Sequence, residues 1–190
     1  LKRDIMALPE AREHWRAGVT KLLTHENPYT KTNLADDPII AVMLFYNELE
    51  FYSFGAGDRN SGMRPELAGE WRKWLKDHYK NDITALNKYW GNSDFKTFEE
   101  IPLFEGSLQW QTSPQATDAG LFMIYIENDV YKFFNDTVRK TGYKGPVSLW
   151  DMCKLYRNDA ARAEVPAISM HNYHAHPHGP WIKKGETISQ

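Results

Sequence analysis

The feature that most constrains this chain is an apolar run of eight residues, 39–46, that ends at Asn47-Glu48. Polar and apolar residues do not alternate in the run, and Asp36-Asp37-Pro38 precedes it. A short continuous apolar run bounded by turn residues is typical of a parallel strand that is buried on both faces. We therefore predict a strand over residues 39–46 within a sheet covered by helices.

Segments with helical spacing surround this run. Apolar residues recur at helical spacing over 11–25 and 116–141, the second of these ending at Gly142. Pro65 is placed to start a helix that continues to Tyr79, and a shorter helix is expected between Asp82 and Gly91. The rest of the segment up to residue 114 shows no clear periodicity and is predicted to be irregular.

Two more short apolar segments, 147–150 and 167–170, are predicted strands, with a short helix over 158–164 between them. The order strand, helices, strand, helix, strand favours right-handed βαβ units and a parallel sheet in a single α/β domain. The segment between the first two strands is longer than one ordinary βαβ unit requires. We therefore expect residues 53–115 to form a large excursion after the first strand.

Composition and charge exclude several classes of function. The net charge of -2 and the sequence pI of about 6.4 leave no broad basic surface, so we expect no nucleic-acid partner. No apolar run approaches the roughly 18 residues that a membrane span needs. The single cysteine, Cys153, excludes a disulfide within the chain but leaves the compartment open. The N-terminus has neither Met nor a signal-peptide pattern, so we expect it to be an interior point of a longer chain.

Each predicted strand ends at residues whose side chains can take part in catalysis or binding. Because parallel strands present their carboxyl ends at one edge of the sheet, groups far apart in sequence converge there. The residues concerned are Asn47-Glu48, Trp150-Asp151 and His171-Asn172-Tyr173-His174. For Trp150 and Asp151 two interpretations stay open, a place in a substrate cleft or a simple strand end.

Glu48 has the surroundings that a general acid needs. It follows the buried run, where desolvation raises the pKa of a carboxyl group. Glycosidic cleavage needs such an acid and, in retaining enzymes, a second carboxylate about 5 to 5.5 Å away as nucleophile. Asn47 is placed to donate a hydrogen bond to a sugar hydroxyl. The alternative is that the dipeptide only meets solvent or caps a turn, and Glu50 is a rival for the acid role.

Two segments resemble known glycosidases. Residues 22–51, with Asn27-Pro28-Tyr29-Thr30, then Asp37-Pro38, then Asn47-Glu48, resemble cellulase-like members of the large clan of retaining (β/α)8-barrel glycosidases near their fourth strand. The segment that follows is similar to the β-galactosidase-like branch of that clan, in Trp71-Arg72-Lys73-Trp74-Leu75, Tyr79, Ala85-Leu86-Asn87-Lys88-Tyr89-Trp90-Gly91 and Phe98-Glu99-Glu100-Ile101-Pro102. The resemblance implies that Glu48 is the acid/base and that Asn47 binds substrate beside it.

A third segment, His171-Asn172-Tyr173, resembles the His-x-Tyr at the end of the sixth strand in several families of the clan. The resemblance implies that Tyr173 lies near the nucleophile and that His171 binds substrate. It implies a partial (β/α)8 TIM barrel over residues 1–190, from strand four to the loop after strand six. It implies no cofactor, and an oligosaccharide or polysaccharide as the substrate.

One part of the clan pattern has no counterpart here. The nucleophile of the clan ends the seventh strand, and no apolar run precedes Glu186, the only late carboxylate. We therefore expect these 190 residues to be inactive alone, and their open sheet edges favour self-association or pairing with a complementing chain. A secreted or periplasmic parent is one option, and the sequence does not decide the compartment.

Two further functions remain as alternatives to a retaining β-glycosidase. A carbohydrate-binding barrel that lacks a working nucleophile would share the same fold and acid residue. The cluster His171, His174, His176 and His178 could bind a metal ion, but Pro177 and Gly179-Pro180 stiffen its loop, so no metal is predicted. The sugar, the linkage and exo or endo action are left open.

Overall fold

The computed structural model describes residues 4–46, 63–91, 94–106, 112–150, 163 and 165–167. Short 3-10 turns stand at Asp4–Met6, Pro65–Leu67 and Phe98–Glu100. The helices and strands are α1 (Pro9–Thr24), β1 (Met43–Tyr46), α2 (Ala68–His78), α3 (Ile83–Trp90), α4 (Pro114–Arg139) and β2 (Val147–Trp150). The four helices predicted within these ranges are confirmed.

Local capping residues set the helix ends. The Asp82 carboxylate accepts hydrogen bonds from the backbone N–H groups of Thr84 and Ala85 at 2.9 and 3.0 Å, which satisfies two unpaired donors of α3. Gly91 ends that helix in a left-handed conformation, with φ of 77°. The Ser113 hydroxyl caps α4 by accepting from the N–H of Ala116. These are local signals, which is why sequence spacing located the helices.

Strand β1 is shorter than predicted. It begins at Met43, so the prediction that it begins at Ile39 is wrong. Asp37 holds the preceding residues in a turn, because its carboxylate accepts from the N–H of Ile39 at 3.0 Å and its carbonyl accepts from Ile40 at 3.1 Å. The Ile39 side chain is 80% exposed. Apolar character alone therefore predicted too long a strand. The backbone groups of the turn before β1 are hydrogen-bonded within that turn.

Strands β1 and β2 pair in parallel, with Met43 beside Val147, Leu44 beside Ser148 and Tyr46 beside Trp150. This confirms the predicted parallel pair and the predicted bounds of β2. Val147 and Ser148 are both buried and occupy opposite faces of β2, as expected for a strand covered on both sides. Leu44 is 38% exposed, so the prediction of burial on both faces is wrong for β1.

The outer edge of β1 adjoins an apolar groove. Among the described residues β1 pairs with β2 alone, so its other edge has no strand partner there. A cavity of about 330 Å³ lies beside it, walled by α1 residues that include Trp15, Val19 and Leu22. Leu44 lines this groove, which explains its exposure. The expected self-association through open edges stays a prediction.

The predicted short helix over 158–164 and the predicted third strand, 167–170, fall largely outside the described residues. Of the strand, only Ala167 is described, and it belongs to no strand. The described residues show one parallel βαβ unit with its inserted helices, and the partial (β/α)8 barrel stays a prediction. None of the described helices is long and apolar enough to cross a membrane.

Three aromatic rings join the helices to the sheet. Phe134 of α4 lies with its ring centroid 4.5 Å from that of Phe45 in β1 and 4.4 Å from that of Trp15 in α1. Trp15 and Phe45 meet edge to face at 5.3 Å. Phe134 is fully buried, and such ring pairs add stability beyond the buried area itself. This cluster fixes β1 between α1 and α4.

Replacement of Phe134 by alanine should lower the free energy of unfolding by about 3 to 5 kcal/mol, because it leaves a cavity beside the rings of Trp15 and Phe45. Urea unfolding followed by circular dichroism measures the change. Leu121→Ala on the same helix is the control, since that side chain is 42% exposed and should cost far less. Equal losses in the two variants would contradict the importance of the cluster.

Candidate active site

The candidate active site lies at the shared carboxyl edge of β1 and β2. Tyr46 and Trp150 end the two strands and are register partners, so the chain leaves both strands at the same edge. In sequence, Asn47 and Glu48 follow Tyr46 directly, and Asp151 follows Trp150. The described backbone thus brings together the two predicted strand ends that are about 100 residues apart in sequence.

The predicted site residues themselves lie mostly outside the described residues. This applies to Asn47, Glu48, Asp151, His171 and Tyr173, and of Trp150 only the backbone place is described. Their roles in acid/base chemistry and substrate binding stay predictions. The rival Glu50, the late Glu186 and the histidine cluster also lie outside the described residues.

The direction of helix α4 shows which part of the chain lies on the side of the fold where the strands end. Val138, near the end of α4, packs in one apolar cluster with Val147 and Met43, at the start of the two strands. Phe134, one turn earlier in α4, meets Phe45 near the end of β1. The helix therefore runs antiparallel to the strands. Its N-terminal half points to the side on which the strands end.

The excursion packs on that N-terminal half of α4. Trp71 of α2 meets Phe122 of α4 edge to face, with ring centroids 5.2 Å apart. Trp71 also donates its indole N–H to the carbonyl of Pro102 at 3.0 Å, and Arg72 donates to the carbonyl of Ile101 at 2.9 Å. The inserted helices thus stand beyond the strand ends, on the side where barrel enzymes build their sites.

A buried carboxylate anchors the excursion. Asp118 of α4 is 1% exposed, and its Oδ2 accepts the Tyr79 hydroxyl at 2.6 Å and the Trp90 indole N–H at 2.8 Å. Burial, together with the hydrogen bond to Asp118, raises the pKa of Tyr79 above its ordinary value. One acid on α4 therefore holds the segment after α2 and the end of α3.

Asp118 is a structural residue that was not predicted from the sequence. The signal was present, since an acid stands among the small residues of Ala116-Thr117-Asp118-Ala119-Gly120, four positions before the buried Phe122. A charged residue on the apolar face of a helix calls for buried donors. Which donors these are could not be read from the sequence, because Tyr79 and Trp90 lie in other helical segments.

The anchor can be tested by replacing Asp118 with alanine. Hydrogen bonds to a charged group contribute roughly 1.5 to 3 kcal/mol each, so we expect the loss of about 3 kcal/mol or more in the free energy of unfolding. Denaturant titration measures it. Asp94→Ala, which removes an exposed acid that forms an ion pair with the exposed Lys96, should change stability little. A similar cost for both would contradict the anchor.

The raised pKa values of three tyrosines lead us to predict that the chain loses stability at alkaline pH. Burial raises the pKa of Tyr79, Tyr131 and Tyr143 in the folded chain. Stability should be full below about pH 10, the ordinary value for tyrosine, and should fall as pH rises because the unfolded chain ionises first. Absorbance at 295 nm against pH, with unfolding followed in parallel, measures this. Tyr79→Phe should flatten the fall, and an unchanged slope would contradict the assignment.

Within the described residues no group of three or more His, Cys, Asp or Glu side chains is arranged to hold a metal ion. The model of the beta-galactosidase family matches residues 10–187, and the chain belongs to that family. No curated protein and no solved structure matches it. The match covers the strand pair, the excursion and the segment that holds His171 and Tyr173, and it confirms the resemblance to the glycosidase clan.

Proposed function

We propose that this chain forms the acid/base half of a retaining β-galactosidase. The observation that carries the proposal is the parallel register of β1 and β2 in a chain of this family, because it joins the strand before Asn47-Glu48 to the strand before Asp151 at one edge. Its substrate is a galactose-terminated β-glycoside. The family description supports the sugar, and the fold supports the position of the site.

In the proposed reaction Glu48 acts twice. It first donates its proton to the glycosidic oxygen as the bond to the anomeric carbon breaks and a second carboxylate attacks that carbon. It then removes a proton from water, which attacks the glycosyl-enzyme and releases the sugar with its original configuration. We propose that the second carboxylate comes from a seventh strand of the barrel, as the clan resemblance implies.

The neighbouring groups have supporting roles in the proposal. Asn47 donates a hydrogen bond to the hydroxyl beside the anomeric centre, while His171 binds substrate and Tyr173 orients the nucleophile. Trp150 and Asp151 line the cleft from the neighbouring strand. In the proposal Glu48 begins the cycle protonated, as the general acid of a glycosidase must.

The proposal predicts a dependence on leaving group. In the full-length protein that carries this chain, Glu48→Gln should lower kcat/KM about 10²- to 10⁴-fold on alkyl β-galactosides, which need protonation. On aryl galactosides with acidic phenols the loss should be smaller in the first step. Azide should restore turnover and give the β-galactosyl azide, which proton NMR identifies.

Glu50→Gln is the matched control, since it removes a carboxyl two positions away. It should keep the leaving-group dependence of the parent. If Glu48→Gln retained full activity on alkyl galactosides, or if Glu50→Gln gave the azide product instead, the assignment would be wrong. If the parent bound galactosides but cleaved none, a carbohydrate-binding barrel would replace the proposed enzyme.

A further inference from the structure

A cleft lies between the start of α1, the start of α2 and the middle of α4. Its volume is about 430 Å³, within the range of small-ligand sites. Its floor is apolar, since Met6, Leu67 and Ile126 line it and are 3%, 2% and 4% exposed. Charged side chains and Tyr125 stand around this floor. The cleft therefore combines an apolar base with a polar rim, as small-ligand sites do.

The cleft opens away from the two strands. Tyr125 and Asp129 line it, and they precede Phe134 by nine and five residues in α4. At about 3.6 residues per turn, these intervals place them about 180° and 140° around the helix from Phe134. Phe134 faces the sheet, because its ring meets that of Phe45 in β1. The cleft is therefore on the outer surface of α4, separate from the candidate active site.

The charged frame of the cleft is held in place by its own contacts. Arg12 donates its Nε–H to the carbonyl of Ile5 at 2.9 Å, and its guanidinium pairs with Asp129 at 2.7 Å. On the α2 side, Arg64 pairs with Glu66 at 2.8 Å. The frame is therefore formed before any ligand arrives, which lowers the entropy cost of binding.

The remaining charges of the cleft balance each other. Glu13, Glu66 and Asp129 are each paired with an arginine. Glu70 and Lys73 also line the cleft, are exposed, and form no ion pair with another described residue. One of these two side chains supplies acceptors and the other supplies donors. The cleft therefore suits a neutral ligand that both donates and accepts hydrogen bonds.

Tyr125 gives the cleft an accessible aromatic ring. This residue is 43% exposed, and its ring stacks against that of Phe122 with centroids 6.2 Å apart and an interplanar angle of 26°. Phe122 is fully buried, so the contact orients the Tyr125 ring while much of that ring stays open to solvent. The Tyr125 hydroxyl adds a further donor and acceptor.

We propose that this cleft is a noncatalytic binding site for a pyranose unit of a galactan chain, and the choice of galactose rests on the proposed function. A pyranose combines an apolar C–H face with neutral hydroxyl groups, which matches the ring of Tyr125 beside Glu70 and Lys73. The carboxylates around the cleft disfavour an anion such as phosphate. Because the cleft is on the outer surface, the unit that it binds is not the unit that is cleaved.

Binding can be measured on the chain itself. Carbon-13 methyl spectra report on Met6 and Ile126 in the floor, and Met6→Leu and Ile126→Val assign the two signals. Titration with β-1,4-linked galactotetraose should shift both signals until saturation. Tyr125→Ala should weaken the affinity about tenfold because the pyranose loses its aromatic surface, and Glu70→Gln should weaken it because a charged acceptor is lost. Tyr89→Ala is the control, since Tyr89 is 48% exposed and lies on α3, outside the cleft.

Kinetics of the full-length protein that carries this chain give a second readout. When the cleft holds one segment of a polymer, the rest of that polymer reaches the active site at a raised effective concentration. Tyr125→Ala should therefore raise the KM for β-galactan several-fold relative to the KM for a methyl galactoside. Tyr89→Ala should keep the ratio of the two KM values.

Three results would overturn the proposal. The first is that neither methyl signal shifts up to the solubility limit of the tetraose. The second is that Tyr125→Ala and Tyr89→Ala bind the tetraose equally well. The third is that inorganic phosphate shifts the same signals at a lower concentration than the tetraose, which would make the cleft an anion site. Failure of the proposed function is a separate result, since a fully active Glu48→Gln variant would overturn the acid/base assignment and leave the binding result standing.

Discussion

One continuous buried stripe along α4 organises the described structure. The helix has 26 residues, and its buried positions run from Ala116 to Val138. Its C-terminal half packs against α1 and the two strands through Phe134 and Val138, whereas its N-terminal half packs against the inserted helices through Asp118 and Phe122. The excursion and the sheet therefore share a single rigid support.

This arrangement connects stability to the position of the site. The ring cluster of Trp15, Phe45 and Phe134 holds the strands in place. The buried carboxylate of Asp118 holds the excursion in place. In a parallel barrel the loops after the strands carry the chemistry while the rest supplies rigidity. Here one helix supports both the strand edge, through Phe134, and the excursion, through Asp118.

The proposed function uses the C-terminal half of this support. We propose that cleavage depends on Glu48, which follows in sequence the strand that packs beside Phe134 of α4.

The sequence by itself determined the local structure of the helices. The cap at Asp82, the stop at Gly91 and the apolar spacing of α4 act over a few residues, and the helices appeared where these signals stood. The parallel strand pair was also predictable, since an intervening helix and short apolar runs permit few other topologies. The ordered motifs from Asn27 to Pro102 predicted a resemblance to the glycosidase clan, which the match over residues 10–187 confirmed.

Only the tertiary structure decided contacts between distant segments. It showed that Ile39 to Val42 precede the strand rather than belong to it, because Asp37 closes a turn there. It joined Asp118 to Tyr79 and Trp90, 39 and 28 residues away. Such contacts depend on how helices are oriented in three dimensions, and the periodicity of one segment carries no information about the face that another segment presents.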